Sequence, residues 1–140
     1  MLGKTNIDRP ALIFKALEIP IYIIFDTDSD KSGDESTKNE KINIALRKIM
    51  EDTSVTDAFE QKVEKTWACL DPNLTSFLKA ELEEDFYNRE MNKLREFYEF
   101  PKIKDCKKNV TIMKEFLEIS YKEGKNIPIF EQIIQNIHDL

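Results

Sequence analysis

The sequence predicts an α/β fold with a small parallel sheet and a predominantly helical carboxy-terminal half. Two observations lead to this prediction. The run from Ile19 to Phe25 is apolar, β-branched and aromatic, which is typical of a strand buried on both faces, and we place that strand at 20–25. The segments on either side of it carry apolar residues at helical spacing. A strand this hydrophobic between two helices indicates a parallel sheet covered by helices.

The amino-terminal elements follow from local signals. Asp8 is expected to cap a short helix that has Pro10 in its first turn. After the strand, residues 29–38 are polar and are expected to form an exposed loop. Apolar residues then recur at helical spacing from Asn39 to about Glu51, which predicts a second helix.

The rest of the chain is predicted to be mostly helical. Residues 52–63 look irregular, and 65–70 are expected to form a second strand. An apolar stripe predicts one long helix over 74–98. Two more helices are predicted from periodicity and end signals, one over 109–122 closed by Gly124 and a last one that begins at Pro128.

The length of the chain bounds its organisation. At 140 residues it is long enough for one sizeable core, so we expect one compact domain. Within it, 1–70 are predicted to form a partial α/β region that binds metal, and 71–140 a helical extension packed on that region. No internal repeat or low-complexity linker interrupts the chain.

Composition narrows the function classes. A net charge of −6 gives no overall electrostatic attraction for nucleic acid, so any DNA-binding surface has to be local or belong to a larger protein. No apolar run approaches the roughly 20 residues of a membrane span. Cys69, Cys106 and His138 lack the spacing of metal ligands, so zinc chemistry is not supported, and reduced cysteines favour a cytoplasmic protein.

Three aspartates follow the predicted strand directly. Asp26, Asp28 and Asp30 occupy alternate positions, and in an extended chain the first two side chains lie on the same side. Carboxylates crowded at the end of a buried strand repel one another unless a cation lies between them. We therefore expect a divalent-metal site at this edge of the sheet.

Other motifs compete for the same residues. An EF-hand calcium loop also has oxygen ligands at positions 1, 3 and 5, but it requires Gly and Glu where Lys31 and Thr37 stand. A haloacid-dehalogenase-like phosphatase places Asp-x-Asp after a strand, the first Asp acting as nucleophile. That fold needs a later acidic pair after another strand, and the candidates among Glu83, Glu84 and Asp85 lie in a helical pattern.

The wider sequence favours a third motif, the Asp-x-Asp of the TOPRIM domain. The turn Gly3-Lys4, a helix leading to Leu17-x-Ile19-Pro20, and a strand ending in Asp26-x-Asp28 follow one another. This order resembles the second half of the TOPRIM module in OLD-family (overcoming lysogenization defect) ATP-dependent endonucleases. Three later segments are also similar to that family. They are 67–74, 83–87, and Lys107-Lys108-Asn109 leading into a helix and then 124–128.

The resemblance implies a hydrolase that cuts DNA phosphodiester bonds with Mg²⁺ or Mn²⁺. Asp26 and Asp28 would hold the ion, which polarises the phosphate and lowers the pKa of the attacking water. Asp30 is a candidate ligand for a second ion. Lys108, or Lys107 if the register shifts, would neutralise charge in the transition state.

The chain departs from the family pattern in ways that affect the expected activity. From the resemblance we expect this sequence to lack the first TOPRIM strand, whose glutamate completes the metal site, and Thr75 stands where a later glutamate is expected. Asp71 or Glu81 could substitute only if the geometry allows. No Walker-type phosphate loop occurs in these 140 residues, so we expect this sequence to lack the ATPase domain of the family too.

We therefore expect a carboxy-terminal piece that is weak or inactive alone. It would reach DNA through a longer protein, a partner or an ATPase subunit, and a homo-oligomer is possible. The second hypothesis is a non-catalytic TOPRIM-like module for interaction or dimerisation, and the haloacid-dehalogenase-like phosphatase remains a third.

Overall fold

The computed structural model describes residues 4–52, 54 and 56–140. These residues contain one three-stranded sheet. Its strands are β1 (Ile23–Asp26), β2 (Lys62–Val63) and β3 (Trp67–Leu70), and β3 is central. β3 pairs parallel with β1 and antiparallel with β2. The predicted α/β class is confirmed, but the sheet is mixed rather than parallel because the segment predicted to be irregular contributes β2.

Burial differs sharply between the two longer strands. All four residues of β3 are buried, as expected of a central strand. β1 is an edge strand: Ile23 and Phe25 are buried, but Ile24 is 46% exposed. The prediction of a strand buried on both faces is therefore wrong for β1. An apolar run identifies a strand, but it does not distinguish an edge strand from a central one.

The helices around the sheet begin earlier than the sequence suggests. α1 (Asp8–Ala16) has Ile7 at its N-cap position, so Asp8 lies in the first turn and does not cap the helix. α2 (Gly33–Ile49) begins six residues before the predicted Asn39, so most of the predicted loop over 29–38 is helical. The acidic residues in the first turn of α2 interact favourably with the helix dipole, which explains the early start.

One hydrophobic core lies between α2 and a face of the sheet, and it contains residues of β1, β3 and α2. Phe25 and Trp67 stack with their ring centroids 6.1 Å apart. The guanidinium of Arg47, fully buried on α2, lies 5.0 Å from the centre of the Trp67 ring. Its Nε donates to Asp52 at 2.8 Å. The remaining core residues here are Ile23, Leu46, Met50 and Cys69.

The predicted long helix over 74–98 is two helices. α3 (Leu74–Leu82) and α4 (Glu84–Phe97) are separated by Glu83, whose φ of +68° is incompatible with a continuous α-helix. A short α5 (Ile103–Cys106) follows, which the sequence analysis did not predict. Most of the large apolar side chains of α3 and α4 are buried, but Phe97 is 76% exposed.

The last two helices match their predicted end signals. α6 (Val110–Lys122) is capped by Asn109, whose side chain accepts hydrogen bonds from two backbone N–H groups of the first turn. Gly124 follows α6 with a φ of +74°, as a helix-ending glycine requires. α7 (Pro128–His138) begins at the predicted proline. Ile133 is buried, whereas Ile134 and Ile137 of the same helix are substantially exposed.

The chain divides into two compact units. The first comprises the residues up to Phe77 together with Ile129–Leu140, and the second is Leu78–Pro128. Each unit contains one buried, free cysteine, Cys69 in the first and Cys106 in the second. The predicted domain boundary after residue 70 stays a prediction. No helix in the described part of the chain has both the length and the apolar character needed to cross a membrane.

Candidate metal site at the end of strand β1

Asp26 is the last residue of β1, and its carboxylate caps the start of α3. Its Oδ1 accepts a hydrogen bond from the backbone N–H of Leu74 at 2.9 Å. The first N–H groups of a helix have no partner inside the helix, so they favour an anion at this position. Burial raises the pKa of Asp26; the Leu74 hydrogen bond and Lys4 lower it, and Asp28 and Asp30 raise it. The net effect is a raised pKa, so the charged form of Asp26 is less favourable than that of an exposed aspartate.

Asp28 does not continue the strand. Its φ is +58°, so the chain turns here, and the expectation of two side chains on one side of an extended segment does not hold. The Asp28 N–H donates to the carbonyl of Pro72 at 2.7 Å, which attaches the turn to the segment after β3. The strand therefore ends at Asp26, and the two carboxylates are positioned separately.

A lysine that the sequence analysis did not assign to the site contacts both aspartates. Lys4 Nζ donates to Asp28 Oδ2 at 2.6 Å, and the Lys4 side chain is only 10% exposed. The same Nζ donates to the backbone carbonyls of Asp26 at 3.0 Å and Thr27 at 3.4 Å. The Gly3 of the predicted Gly3-Lys4 turn lies outside the described residues. The Lys4 side chain thus places a positive charge beside the carboxylates of Asp26 and Asp28.

Thr27, between the two aspartates, is fully buried and fixes the turn from inside. Its hydroxyl donates to Asp71 Oδ1, and its carbonyl accepts from Asn43 Nδ2 at 2.8 Å. Asn43 also donates to the carbonyl of Ala58 at 3.1 Å. Asn43 Oδ1 is buried and has no hydrogen-bond partner in the part of the chain that the structure describes. The turn is therefore held by hydrogen bonds from α2 and from the segment after β3.

The remaining predicted site residues are more distant in sequence or more exposed. Asp30 is exposed, and its carboxylate lies 3.4 Å from Lys31 Nζ. Lys108 lies in the second unit, exposed in the turn after α5, and its backbone N–H donates to Asp105. Lys107 lies in the same turn. The structure places Asp26 and Asp28 at one turn, and the roles of Asp30 and Lys108 stay predictions.

The candidates for a third acidic ligand are not assembled around Asp26 and Asp28. Asp71 follows β3 at the same edge of the sheet, but its carboxylate receives the Thr27 hydroxyl. Glu81 is exposed in the second unit, and Thr75 has no carboxylate. Over residues 4–52, 54 and 56–140, no three His, Cys, Asp or Glu side chains are grouped as metal ligands. Mg²⁺ nevertheless often binds through one or two carboxylates, with water and substrate phosphates as its other ligands.

Two contributors escaped the sequence analysis for a physical reason. Lys4 and Asp28 are 24 residues apart, so no local pattern connects them. Asn43 does leave a signal, because it lies three residues before Leu46 and seven before Met50, on the side of α2 that faces the core. A polar residue at a core-facing position is a sign of a buried hydrogen-bonding role.

Comparison of the chain with protein-family models, with curated proteins and with solved structures finds no match. The similarity to the TOPRIM module of OLD-family endonucleases therefore depends on the motifs described above. The family assignment stays a prediction.

Proposed function

We propose that the turn after β1 binds Mg²⁺ or Mn²⁺ through Asp26 and Asp28, and that the chain is part of a TOPRIM-type, metal-dependent DNA endonuclease. The observation that carries this proposal is that Asp26 is a partly buried carboxylate at the end of β1 with other aspartates close to it. Burial disfavours the charge of this carboxylate, and neighbouring aspartates add to that effect. A bound dication would reverse both penalties, because it favours the ionised form of every carboxylate near it.

The donor set suits a hard cation. Carboxylate oxygens are the ligands that Mg²⁺ and Mn²⁺ prefer, whereas the thiols of the chain are buried elsewhere. When bound, the ion would polarise a phosphodiester and lower the pKa of a coordinated water. Asp26 is oriented for this role by the Leu74 N–H, and Asp28 by its backbone bond to Pro72.

Lys4 has a defined place in the proposal. Its Nζ pairs with Asp28 Oδ2, so an ion that binds through this oxygen would have to displace the ammonium group. The backbone carbonyls of Asp26 and Thr27 would still hold the ammonium group near the site, where it can attract a phosphate. Lys108, or Lys107, remains the candidate for neutralising charge in the transition state, and Asp30 for a second ion.

Calorimetric titration with Mn²⁺ tests the metal site. We expect the wild type to release or absorb heat on binding and Asp28→Asn to lose most of that signal. The matched control is Glu40→Gln, which removes one negative charge from an exposed position on α2. A wild type that behaves like Asp28→Asn would refute the metal site.

Nuclease activity is tested on supercoiled plasmid DNA with Mn²⁺. The isolated chain should cut poorly or not at all, because the described residues group no third carboxylate with Asp26 and Asp28. Robust cleavage that Asp26→Ala abolishes would refute the inactivity and support the nuclease. Hydrolysis of a small phosphomonoester would instead support the phosphatase.

One observation favours a non-catalytic interaction module as a second candidate. Lys4 already supplies a positive charge next to Asp28, so the turn is compatible with a purely structural role. In that case Lys4→Gln would destabilise the protein, and no added metal would restore its stability. Under the metal-site proposal, Mn²⁺ should compensate for the lost ammonium group.

A further inference from the structure

The short segment ahead of α1 is attached to the acidic turn by one side chain. Lys4–Asn6 form a single turn of 3₁₀-helix, which we call the strap. Thr5 and Asn6 are exposed, and neither side chain makes a hydrogen bond to another residue that the structure describes. Ile7, the next residue, packs partly against the core beside the sheet. Ahead of Ile7, the side-chain hydrogen bonds between the strap and the other described residues are therefore those of Lys4.

Lys4 Nζ lies where three oxygen atoms converge. It donates to Asp28 Oδ2 at 2.6 Å and to the carbonyls of Asp26 and Thr27 at 3.0 and 3.4 Å. An ammonium group has three donors and no acceptor, so its hydrogen-bonding capacity is fully used here. Oxygen atoms are also the ligands of hard cations. Lys4 and an ion bound through Asp28 Oδ2 would therefore compete for the oxygen that makes the shortest of the three contacts.

We propose that the strap inhibits metal binding at the acidic turn through Lys4, and that a bound ion in turn loosens the strap. This inference rests on the proposed metal site at Asp26 and Asp28. Coupling between two binding events is reciprocal, so the strap lowers the affinity for metal by the same factor by which metal weakens attachment of the strap. A partner that draws the strap away from the turn would raise the affinity for metal.

Electrostatics determine the sign of this coupling. The ammonium group neutralises Asp28 and adds a positive charge beside the carboxylates, and salt screens it weakly because the Lys4 side chain is only 10% exposed. Both effects oppose the approach of a dication. A lysine that only held Asp28 in the orientation needed for binding would have the opposite effect, because its removal would lower the affinity for metal.

Release of the strap requires no rearrangement of the fold. Ala11 of α1 is buried, and Lys15 Nζ donates to the Ile49 carbonyl at the end of α2, at 2.6 Å. These contacts hold α1 in place independently of the strap. Segments with few buried contacts open most readily. The strap can therefore detach at the cost of the Lys4 contacts while α1 stays on the protein.

Titration of Mn²⁺ into matched lysine variants tests the sign of the coupling. We expect Lys4→Met to bind Mn²⁺ at least about 10-fold more tightly than the wild type, a change of 1.4 kcal/mol in the binding free energy. Lys31→Met removes the same charge from an exposed position beside Asp30 and should change the affinity less than about 2-fold. Lys4→Arg keeps the charge and should bind as weakly as the wild type.

The outcomes separate the strap from the metal site. A wild type that binds Mn²⁺ as tightly as Lys4→Met, or more tightly, would overturn the inhibition and leave the metal site in place. Absence of Mn²⁺ binding in both proteins would refute the metal site and the inhibition together.

Acetylation of lysines in the wild type, measured by mass spectrometry, tests the release of the strap without a substitution. Lys4 should react slowly without metal and at least about 5-fold faster when Mn²⁺ saturates the protein. Lys41, exposed on α2, is the internal reference and should react at the same rate in both conditions. Binding of Mn²⁺ that leaves the reactivity of Lys4 unchanged would overturn the coupling.

Discussion

The two compact units differ in how they satisfy the polar groups in their interiors. In the second unit, the buried polar residues bond within their own helix: Ser120 donates to the carbonyl of Phe116, and Glu90 pairs with Arg89 and Lys93. In the first unit, Asn43 reaches Thr27, 16 residues away, and the Thr27 hydroxyl reaches Asp71, 44 residues away.

The two kinds of contact constrain different parts of the structure. A polar contact within one helix adds to that helix alone, whereas a contact between distant segments fixes their relative position. Buried polar groups are costly unless they are hydrogen-bonded, so a network of them needs good geometry throughout. The first unit places that network directly under the acidic turn, and the turn is the part of this unit with candidate chemistry.

The largest effect should come from Arg47. Arg47→Met removes the 2.8 Å partner of Asp52, whose side chain is only 6% exposed, and leaves Lys62 Nζ, 3.9 Å away, as the remaining cation beside that carboxylate. It also removes the donor to the Asp57 carbonyl. We expect a loss of about 3–5 kcal/mol in the free energy of unfolding, measured by urea denaturation. Lys114→Met in the second unit is the control, because Lys114 is 76% exposed and should change stability little. Equal losses would contradict the contrast between the units.

The next effect separates the distant contacts of Asn43 from the local one of Ser120. Asn43→Leu removes the donor to the Thr27 and Ala58 carbonyls and should cost about 2–3 kcal/mol, because both acceptors lose a buried partner. Ser120→Ala removes one bond within a helix and should cost about 1 kcal/mol or less. If Asn43→Leu also weakens Mn²⁺ binding while Ser120→Ala does not, the network supports the turn. A reversed order of costs would refute this interpretation.

Two aspartates of the first unit should respond oppositely to pH. Burial raises the pKa of Asp52, but hydrogen bonds from Ser54 and Arg47 outweigh it and hold the pKa at about 2. Its folded-state pKa is depressed, so its contribution of about 2 kcal/mol is present above the unfolded value near 4 and is lost as pH falls towards 2. Asp52→Asn should therefore destabilise the protein at pH 7.

For Asp26 the sign is reversed. Its folded-state pKa is raised, mainly by burial, so the ionised carboxylate destabilises the protein at neutral pH, and the penalty disappears on acidification. Asp26→Asn should raise the melting temperature at pH 7 without metal, and the gain should vanish at low pH. Destabilisation by Asp26→Asn at pH 7 would show that the Leu74 hydrogen bond outweighs the burial of charge.

The smallest effect concerns Lys4. Lys4→Gln removes the cation beside Asp28 and should lower stability by about 1 kcal/mol, since the pair is only partly buried. Mn²⁺ should then raise the melting temperature of Lys4→Gln more than that of the wild type, because the ion no longer competes with the ammonium group. Lys31→Gln, which loses an exposed contact to Asp30, should respond to Mn²⁺ as the wild type does. The same response from both variants would remove Lys4 from the site.

Local signals predicted the parts of the fold that local interactions determine. Gly124 and Pro128 each mark a helix end by their own chemistry, and the structure places helix ends there. Asn109, predicted as the first residue of its helix, is the residue that caps it. The break at Glu83 carries no such mark, because a glutamate in the left-handed region gives no compositional signal. β2 is only two residues long, too short for a periodic pattern.

In the candidate site, too, the sequence predicted only the features that depend on local interactions. An apolar strand followed by aspartates located the turn, and the structure places Asp26 at the end of β1. Lys4 joins the turn through a tertiary contact that the spacing of residues along the chain does not encode. Asn43 also acts through a tertiary contact, and its only signal is a polar residue on the core-facing side of α2. The positive φ of Asp28 likewise depends on the backbone bond to Pro72, formed only in the folded protein.

The two cysteines make the contrast between the units measurable without any substitution. Burial raises the pKa of the Cys69 thiol to about 11 and also raises the pKa of Cys106, so alkylating reagents should modify either thiol only when its surroundings open. Since each unit contains one of them, the order in which the two peptides gain mass during native-state labelling times the opening of the units separately. Each unit therefore contains its own probe of local opening.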